Sequence, residues 1–188
     1  MGADTKTIAA ALRRRDAQFL GQLVEEHQHR LLRYLLSLTR EVPLAEDVFQ
    51  ETWLRVLERG RQYDGRHAFS TWLFAIARHL LVDRLRRRSP LLFADLQPAE
   101  SASSGFDVPD PDPRSPFDEA LRQEQQQALG SALDRLPGHY REVLLLRFRE
   151  ELSLDEIATV TASPLSTVKA RLYRGLSHLR RRVEKTNP

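Results

Sequence analysis

Clustered cations are the side chains of this sequence most suited to bind a charged partner, and they occur in two stretches. Residues 76–88 carry five arginines against one aspartate, and residues 165–185 carry seven lysines and arginines against one glutamate. Residues 89–116 have the opposite balance, with five carboxylates against one arginine. Two basic modules on either side of an acidic segment are typical of a protein that binds a polyanion, and nucleic acid above all.

A second candidate for chemistry is a group of carboxylates, Glu46, Asp47 and Glu51, in a helix predicted over residues 43–59. Clustered carboxylates can bind a divalent ion, but adjacent helix positions point in different directions and no phosphate-cradling glycine loop is near. Acidic residues early in a helix also favour its dipole. The dipole alone could account for Glu46 and Asp47, and we predict no catalytic residue, metal site or cofactor.

Length and composition limit the class of protein. The 188 residues, 41% of them hydrophobic, are enough for one domain or two small ones, each with its own core. The sequence has no cysteine, which excludes disulfide frameworks and thiolate metal sites. We find neither a signal peptide nor an apolar run that could cross a bilayer, and we expect a cytoplasmic protein.

The basic stretch 76–88 must be positioned by the helix that contains it. Apolar residues recur at helical spacing from Phe69 to Leu85, which predicts an amphipathic helix over residues 69–88 with Ser70 at its N-cap. Before it, a helix over 17–40 has Asp16 as its cap, and the glycine-flanked segment 60–68 is predicted to be an irregular loop.

The other basic stretch follows a change in composition. Residues 89–116 contain six of the ten prolines and are predicted to be a flexible acidic linker between domains at 1–88 and 117–188. In the second domain, Ser153 and Glu156 have capping-box spacing, and Pro164 opens a long basic helix. A short capped helix, a tight turn and a basic helix predict a helix-turn-helix that enters the major groove of DNA. The predicted fold is all-α: two small helical domains and a linker.

Two blocks of sequence resemble the extracytoplasmic-function (ECF) sigma factors of bacterial RNA polymerase. The first, AEDVFQETWLRVL followed by FSTWLFAIARHLLVDRLRRR, is similar to the second conserved region of that family. The other, LPGHYREVLLLRF followed by LSLDEIATVTASPLSTVKARLYRGLSHLR, is similar to its fourth. The resemblance implies a factor that binds core RNA polymerase, directs it to promoter DNA and assists melting, with an anti-sigma factor as a further partner.

The resemblance also implies roles for individual residues. The face that docks on polymerase matches Asp47, Gln50 and Glu51. The residues that match contacts to the minus-ten element are Tyr63, Asp64, His67, Phe69, Trp72, Arg78, Arg84, Arg86 and Arg87. Those that match the reader of the minus-thirty-five element are Arg147, Thr167, Lys169, Arg171, Tyr173 and Arg174.

Some positions differ from the family pattern. Ala162 stands where glycine often supports the turn of the helix-turn-helix, and a side chain there raises the cost of a positive φ. We therefore expect a different local geometry in this turn. His79 and Ser166 also replace the usual asparagine and glycine.

Two other functions are compatible with parts of the sequence. A nucleic-acid enzyme that used Glu46, Asp47 and Glu51 with a divalent metal would cleave or modify DNA without polymerase. A dimeric helix-turn-helix regulator would bind palindromic operators on its own, although the sequence shows no dimerisation seam.

Overall fold

The computed structural model describes residues 4–88, 90–96 and 130–186, and every regular element in these ranges is helical. The first domain contains α1 (Thr5–Arg14), α2 (Ala17–Thr39), α3 (Val42–Arg59), a 3-10 turn (Gly60–Gln62) and α4 (Phe69–Arg88). A short helix, α5 (Pro90–Leu96), follows. In the second domain, residues 130–134 are helical, and α6 (Gly138–Leu144) continues into a π-helical turn (Leu145–Arg149) before α7 (Leu154–Thr161) and α8 (Leu165–Thr186).

Two of the predicted helix caps are present and one is not. Asp16 accepts a hydrogen bond from the Phe19 backbone at the start of α2. Ser153 and Glu156 form both halves of a capping box on α7. In contrast, α4 begins at Phe69, so Ser70 lies inside the helix and the prediction that it is the N-cap is wrong. Residues 60–68 form the predicted irregular connection, apart from the 3-10 turn.

Helix α4 lies at the centre of the molecule. It packs against α2 and α3 on one side and α5 and α7 on others, so it buries more than a single apolar stripe. Leu73, Ala77 and Leu81 are fully buried as predicted, and Thr71 is equally buried although it is polar. Trp72 remains only partly buried. The helix that carries the first basic stretch is therefore held from several directions.

The predicted linker begins later than expected. Residues 90–96 form α5, whose Leu96 is 4% exposed and whose Asp95 Oδ2 accepts a 2.8 Å hydrogen bond from the Gly138 backbone. The remainder of the predicted linker lies outside the described residues, as does the helix predicted from Ser115–Pro116 up to residue 129. Within the parts of the chain that the structure describes, no helix is long and apolar enough to cross a membrane.

The turn of the helix-turn-helix has the left-handed backbone conformation that glycine usually adopts. Ala162 has φ 47° and ψ 42°, which is the left-handed conformation, and its N–H bonds back to carbonyls of α7. Our expectation of a different turn geometry was wrong. The backbone bonds that end α7 hold this conformation, although an alanine there costs about 1–2 kcal/mol.

This conformation predicts the effect of a substitution. Ala162→Gly should raise the free energy of unfolding by about 0.5–1 kcal/mol, because relief of the left-handed strain exceeds the entropy that glycine adds to the unfolded chain. Ala158→Gly, inside α7, is the control and should lower stability by about 1 kcal/mol. Urea unfolding followed by circular dichroism measures both. A loss of stability in Ala162→Gly would show that the turn is not strained.

Candidate partner and nucleic-acid interfaces

The polar face of α3 gathers the three residues predicted to dock on a protein. Asp47 and Gln50 are exposed, and Glu51 is half-buried beside them. Arg84 of α4 reaches this face: its Nη2 lies 2.7 Å from Glu51 Oε2, and its Nη1 lies 3.5 Å from Asp47 Oδ2. The structure thus groups Arg84, predicted as a minus-ten contact, with the carboxylates of α3.

Exposed apolar surface accompanies these carboxylates. Leu54 and Val56 are two positions apart in α3, so only one of them can face inward. The structure buries Val56 completely, while Leu54 is 58% exposed. Leu54 follows Gln50 by four residues and Glu51 by three, so it lies on the same face of the helix. Sequence reasoning missed Leu54 as a site residue, because both choices satisfy the local pattern. A charged rim with an exposed leucine is suited to a protein partner.

The charges around Glu51 test the interpretation that its carboxylate helps to bind a divalent metal. A groove of about 570 Å³ lies between the surfaces of α3 and α4, and the side chains that line it include Arg55, Arg59, Arg84 and Arg87. Glu51 pairs with Arg84 and, at 3.5 Å, with Arg55. Cationic side chains therefore surround the carboxylate that would have to bind the metal. In the described ranges, no group of three His, Cys, Asp or Glu residues could hold a metal ion.

The loop before α4 is more closely packed than we expected from its glycines. Tyr63, expected to be free for a partner, is 2% exposed, and its hydroxyl donates a 2.7 Å hydrogen bond to the His67 carbonyl. Its ring lies 5.8 Å from that of Phe69 and 5.2 Å from that of Trp72. Phe69 is 3% exposed. Burial, followed by the charge of Asp64, raises the pKa of Tyr63 to about 12. The Tyr63 and Phe69 side chains are core.

Other residues of the loop do reach the surface. Asp64 and His67 are exposed, and Trp72, in the first turn of α4, is half-buried. Asp64 Oδ1 accepts a 3.0 Å hydrogen bond from the Arg66 backbone, across a turn in which Gly65 has φ +75°. Asp64, His67 and Trp72 are therefore the members of the predicted minus-ten set that remain accessible in and next to this loop.

The other three arginines of the predicted minus-ten set divide into two groups. Arg86 and Arg87 are exposed at the end of the helix and both pair with Asp83, at 2.9 and 2.8 Å. Arg78 is instead mostly buried and pairs with Glu142 of the second domain, Nε to Oε1, at 2.8 Å. Burial alone would lower the pKa of Arg78, but the Glu142 carboxylate raises it above its ordinary value. Arg78 therefore remains charged at this contact.

The helix-turn-helix exposes part of its predicted set. Lys169, Tyr173 and Arg147 are exposed, while Thr167 and Arg174 are half-buried. The opposite face of α8 packs inward at helical spacing: Val168 and Leu172 are buried, and Leu176 and Leu179 pack against the core.

Arg171 differs from the other members of the predicted minus-thirty-five set. It is only 5% exposed, and burial lowers its pKa. Its Nη1 donates a long, 3.4 Å hydrogen bond to Ser163 Oγ, and its Nε is buried without a partner. Arg171 is thus an interior residue of the second domain here and is not available to read a base.

Comparison with known proteins places both domains in one family. Residues 23–90 match the model of Sigma-70 region 2, and residues 126–179 match that of Sigma-70, region 4. The chain is 30% identical over 168 residues to the ECF RNA polymerase sigma factor SigX of Bacillus subtilis, covering 87% of this chain and 83% of SigX. The chain belongs to the ECF sigma factors. It is also 30% identical over 170 residues to the RNA polymerase sigma-H factor of Pseudomonas aeruginosa, covering 89% of this chain and 87% of that protein.

Two solved structures share this fold. CnrH, in complex with the cytosolic domain of CnrY, matches all of both chains with a TM-score of 0.66 and 22% identity. RpoE of Bartonella quintana, in complex with the anti-sigma factor NepR, has a TM-score of 0.62 and 20% identity, covering 89% of this chain and 98% of RpoE. The predicted architecture of two helical domains, with a helix-turn-helix in the second, is confirmed.

In this sigma factor, region 4 packs directly on region 2. Glu142 of α6 is fully buried, and it accepts hydrogen bonds from the Tyr34 hydroxyl at 2.9 Å and from Arg78. Arg30 pairs with Glu150 at 2.7 Å. Nothing in the sequence predicted these contacts, because their partners lie 64 to 120 residues apart.

Proposed function

We propose that this sigma factor binds core RNA polymerase through α3, directs it to two-part promoters and assists melting on the start-site side. The observation that carries the proposal is the presence, in one chain, of region 2 with an exposed acidic face and of region 4 with a capped helix-turn-helix. Neither a regulator that binds operator DNA nor a metal-dependent enzyme needs both of these regions. The chain is a member of a family of transcription initiation factors, and catalysis would belong to the polymerase.

The docking face is assigned to Asp47, Gln50 and Glu51, with Leu54 added from the structure. Two of these side chains are carboxylates, and Leu54 supplies apolar area, which together suit a cationic helical partner with an apolar seam. Arg84 holds Glu51 from the side of α4. The Glu51 side chain of the docking face is thus held in position before the partner binds.

Promoter contacts are assigned to the exposed or half-buried members of the predicted sets, leaving out Arg84, which pairs with α3, and Arg78, which pairs with Glu142. For the minus-ten element these are Asp64, His67, Trp72, Arg86 and Arg87, and for the minus-thirty-five element Arg147, Thr167, Lys169, Tyr173 and Arg174. Lysine and arginine bind phosphates, while polar and aromatic side chains can read or stack on bases. Arg78 can contact the minus-ten element only when region 4 moves away from region 2.

An anti-sigma factor is the remaining partner that we propose. The similarly folded sigma factor RpoE was solved in complex with the anti-sigma factor NepR, and the similarly folded CnrH with the cytosolic domain of CnrY. Such a protein would have to cover the α3 face, the promoter-binding residues, or both. Co-purification of the tagged chain from its own cells, compared with a variant altered on α3, would identify it.

Charge reversal on α3 tests the proposed function. We expect Asp47→Lys with Glu51→Lys to weaken association with core polymerase at least tenfold, because the new lysines repel a cationic partner and lose its attraction. Helicity should stay at the wild-type level, since exposed substitutions usually change stability by about 0.5 kcal/mol or less. Binding is measured by fluorescence anisotropy of labelled sigma factor. Glu58→Lys, an exposed carboxylate later in α3, controls for net charge. Wild-type affinity of the double variant with intact helicity would refute the docking assignment.

A further inference from the structure

The first helix of the chain, α1, contacts the loop of residues 60–68 at two points. At the start of the loop, a Cβ placed on Gly60 would lie 3.2 Å from the Leu12 side chain. Further along, a Cβ placed on Gly65 would lie 3.3 Å from the Thr5 carbonyl oxygen. The positions of Thr5 and Leu12 are about 10 Å apart along the axis of an α-helix. Helix α1 therefore spans the loop from Gly60 to Gly65.

Helix α1 is itself held firmly in region 2. Its buried side chains are Ile8, Ala9, Ala11 and Leu12. Helix α1 joins α2 through Arg15 and Asp16, and the Asp16 carboxylate accepts a 3.1 Å hydrogen bond from the Phe19 backbone at the start of α2. The Asp16 N–H donates in turn to the Ala11 carbonyl at 3.1 Å. A helix that is packed and bonded in this way can serve as a rigid support for the loop.

The shape of the loop and its position in region 2 have different origins. Tyr63 donates hydrogen bonds within the loop, from its hydroxyl to the His67 carbonyl at 2.7 Å and from its N–H to the Gly60 carbonyl at 3.2 Å. The position of the loop comes from packing, of the Tyr63 ring on α4 and of the two glycines on α1. Asp64 and His67, which we propose as minus-ten contacts, lie on either side of Gly65 in the chain.

We propose that α1 is a positioning element for promoter opening: it fixes the loop at Gly60 and Gly65, so that Asp64 and His67 are held in place for an unpaired base. This inference rests on the proposed function, to which the base contacts belong. A loop that is already in place favours opening, because its ordering does not have to accompany extrusion of the base. Helix α1 precedes residues 23–90, so it lies outside the segment that matches Sigma-70 region 2.

Truncation of Leu12 tests the contact at Gly60. We expect Leu12→Ala to slow promoter opening about tenfold, because only a fraction of the loops is then in place. Opening is followed by stopped-flow fluorescence of 2-aminopurine in the melted region, with the full-length chain in holoenzyme at saturating concentration. Circular dichroism of each variant confirms that it is folded.

Two variants control for volume and for stability. Leu12→Met keeps the side-chain volume and should open the promoter at nearly the wild-type rate. Leu38→Ala makes the same truncation at a buried position in the last turn of α2. It should destabilise region 2 and leave the rate of opening by folded molecules near the wild-type value.

A chain that lacks both proposed base contacts separates positioning from general destabilisation. If α1 acts through Asp64 and His67, Leu12→Ala should slow opening little further in a background of Asp64→Ala with His67→Ala, since the effects of coupled positions are not additive. An effect of Leu12→Ala that is purely structural would be the same in both backgrounds.

A disulfide tests the contact at Gly65. A Cβ placed on Gly65 lies 3.6 Å from the Thr5 Cβ, which is within the range of a disulfide, and the chain has no native cysteine. The variant Thr5→Cys with Gly65→Cys is compared in its oxidised and reduced forms, so the strain of a cysteine at φ +75° is common to both. We expect the oxidised form to open the promoter at least as fast as the reduced form, because the bond fixes the loop on α1.

Slower opening in Leu12→Ala that disappears in the Asp64→Ala, His67→Ala background supports the proposal. Wild-type opening in Leu12→Ala, an equal loss in Leu38→Ala, or an undiminished effect in that background would overturn it. Slower opening in the oxidised cysteine variant would also overturn it, since α1 would then have to leave the loop. If Leu12→Ala does not fold, the oxidised and reduced forms decide. The wild-type chain with core polymerase is measured in parallel: if it opens no promoter, the proposed function fails, and if it does, the results concern α1 alone.

Discussion

Replacing Tyr63 with alanine is expected to lower the free energy of unfolding by about 3–5 kcal/mol, the usual effect of removing a buried aromatic ring. Tyr63 is 2% exposed and packs against Phe69 and Trp72, so the cavity left by its ring would be surrounded by rigid neighbours. Urea unfolding followed by tryptophan fluorescence measures the change, since Trp72 reports directly on this cluster.

Tyr63→Phe is the matched control. It keeps the ring and removes the hydroxyl that donates to the His67 carbonyl, so the expected loss is about 0.5–1.5 kcal/mol. A Tyr63→Ala variant that remains as stable as wild type would show that the side chain leaves the core. In that case, the prediction that Tyr63 contacts the minus-ten element would be favoured again.

The burial of Tyr63 changes which variants test promoter melting. Loss of opening in Tyr63→Ala could follow from a destabilised domain alone, whereas Asp64 and His67 are exposed and can be changed with little effect on stability. We therefore propose that Asp64, His67 and Trp72, and not Tyr63, contact an unpaired base of the minus-ten element. The fluorescence of 2-aminopurine in the melted region, compared with affinity for a pre-melted template, separates opening from binding.

Replacing Lys169 and Arg174 with alanine is the change expected to weaken promoter binding most. Each lost phosphate contact should lower the log-log slope of affinity against salt by about 0.9, so the double variant should bind upstream DNA roughly tenfold more weakly at moderate salt. Lys169 is exposed on α8, and Arg174 lies just over one helical turn further along. Titration of holoenzyme with duplex promoter DNA at several salt concentrations measures both quantities.

The control for this pair is Arg171→Gln. Arg171 is buried, so its replacement should alter stability and leave the salt slope unchanged. A lower salt slope for Arg171→Gln would show that Arg171 contacts a phosphate. A wild-type slope for the double variant would show that Lys169 and Arg174 do not.

Local rules were sufficient for most of the helical framework. The spacing of apolar residues predicted α4 at 69–88, where it lies, and the caps at Asp16 and Ser153 followed from short-range hydrogen-bonding chemistry. The helix-turn-helix was likewise predicted from a capping box, a turn and a basic helix. Local rules were wrong at Ser70, which is inside α4, and at Ala162, where backbone hydrogen bonds outweigh the strain of a left-handed alanine.

The sequence by itself thus determined the all-helical architecture, the two basic modules and the family, because helical periodicity, capping and charge depend on residues close together in the chain. Only the tertiary structure decided which candidates are accessible. Tyr63 is buried by aromatic rings six and nine residues away, Leu54 rather than Val56 reaches solvent, and Arg78 is covered by Glu142 from a different domain. Burial depends on what packs against a residue from distant segments, and the periodicity of a single helix carries no information about those partners.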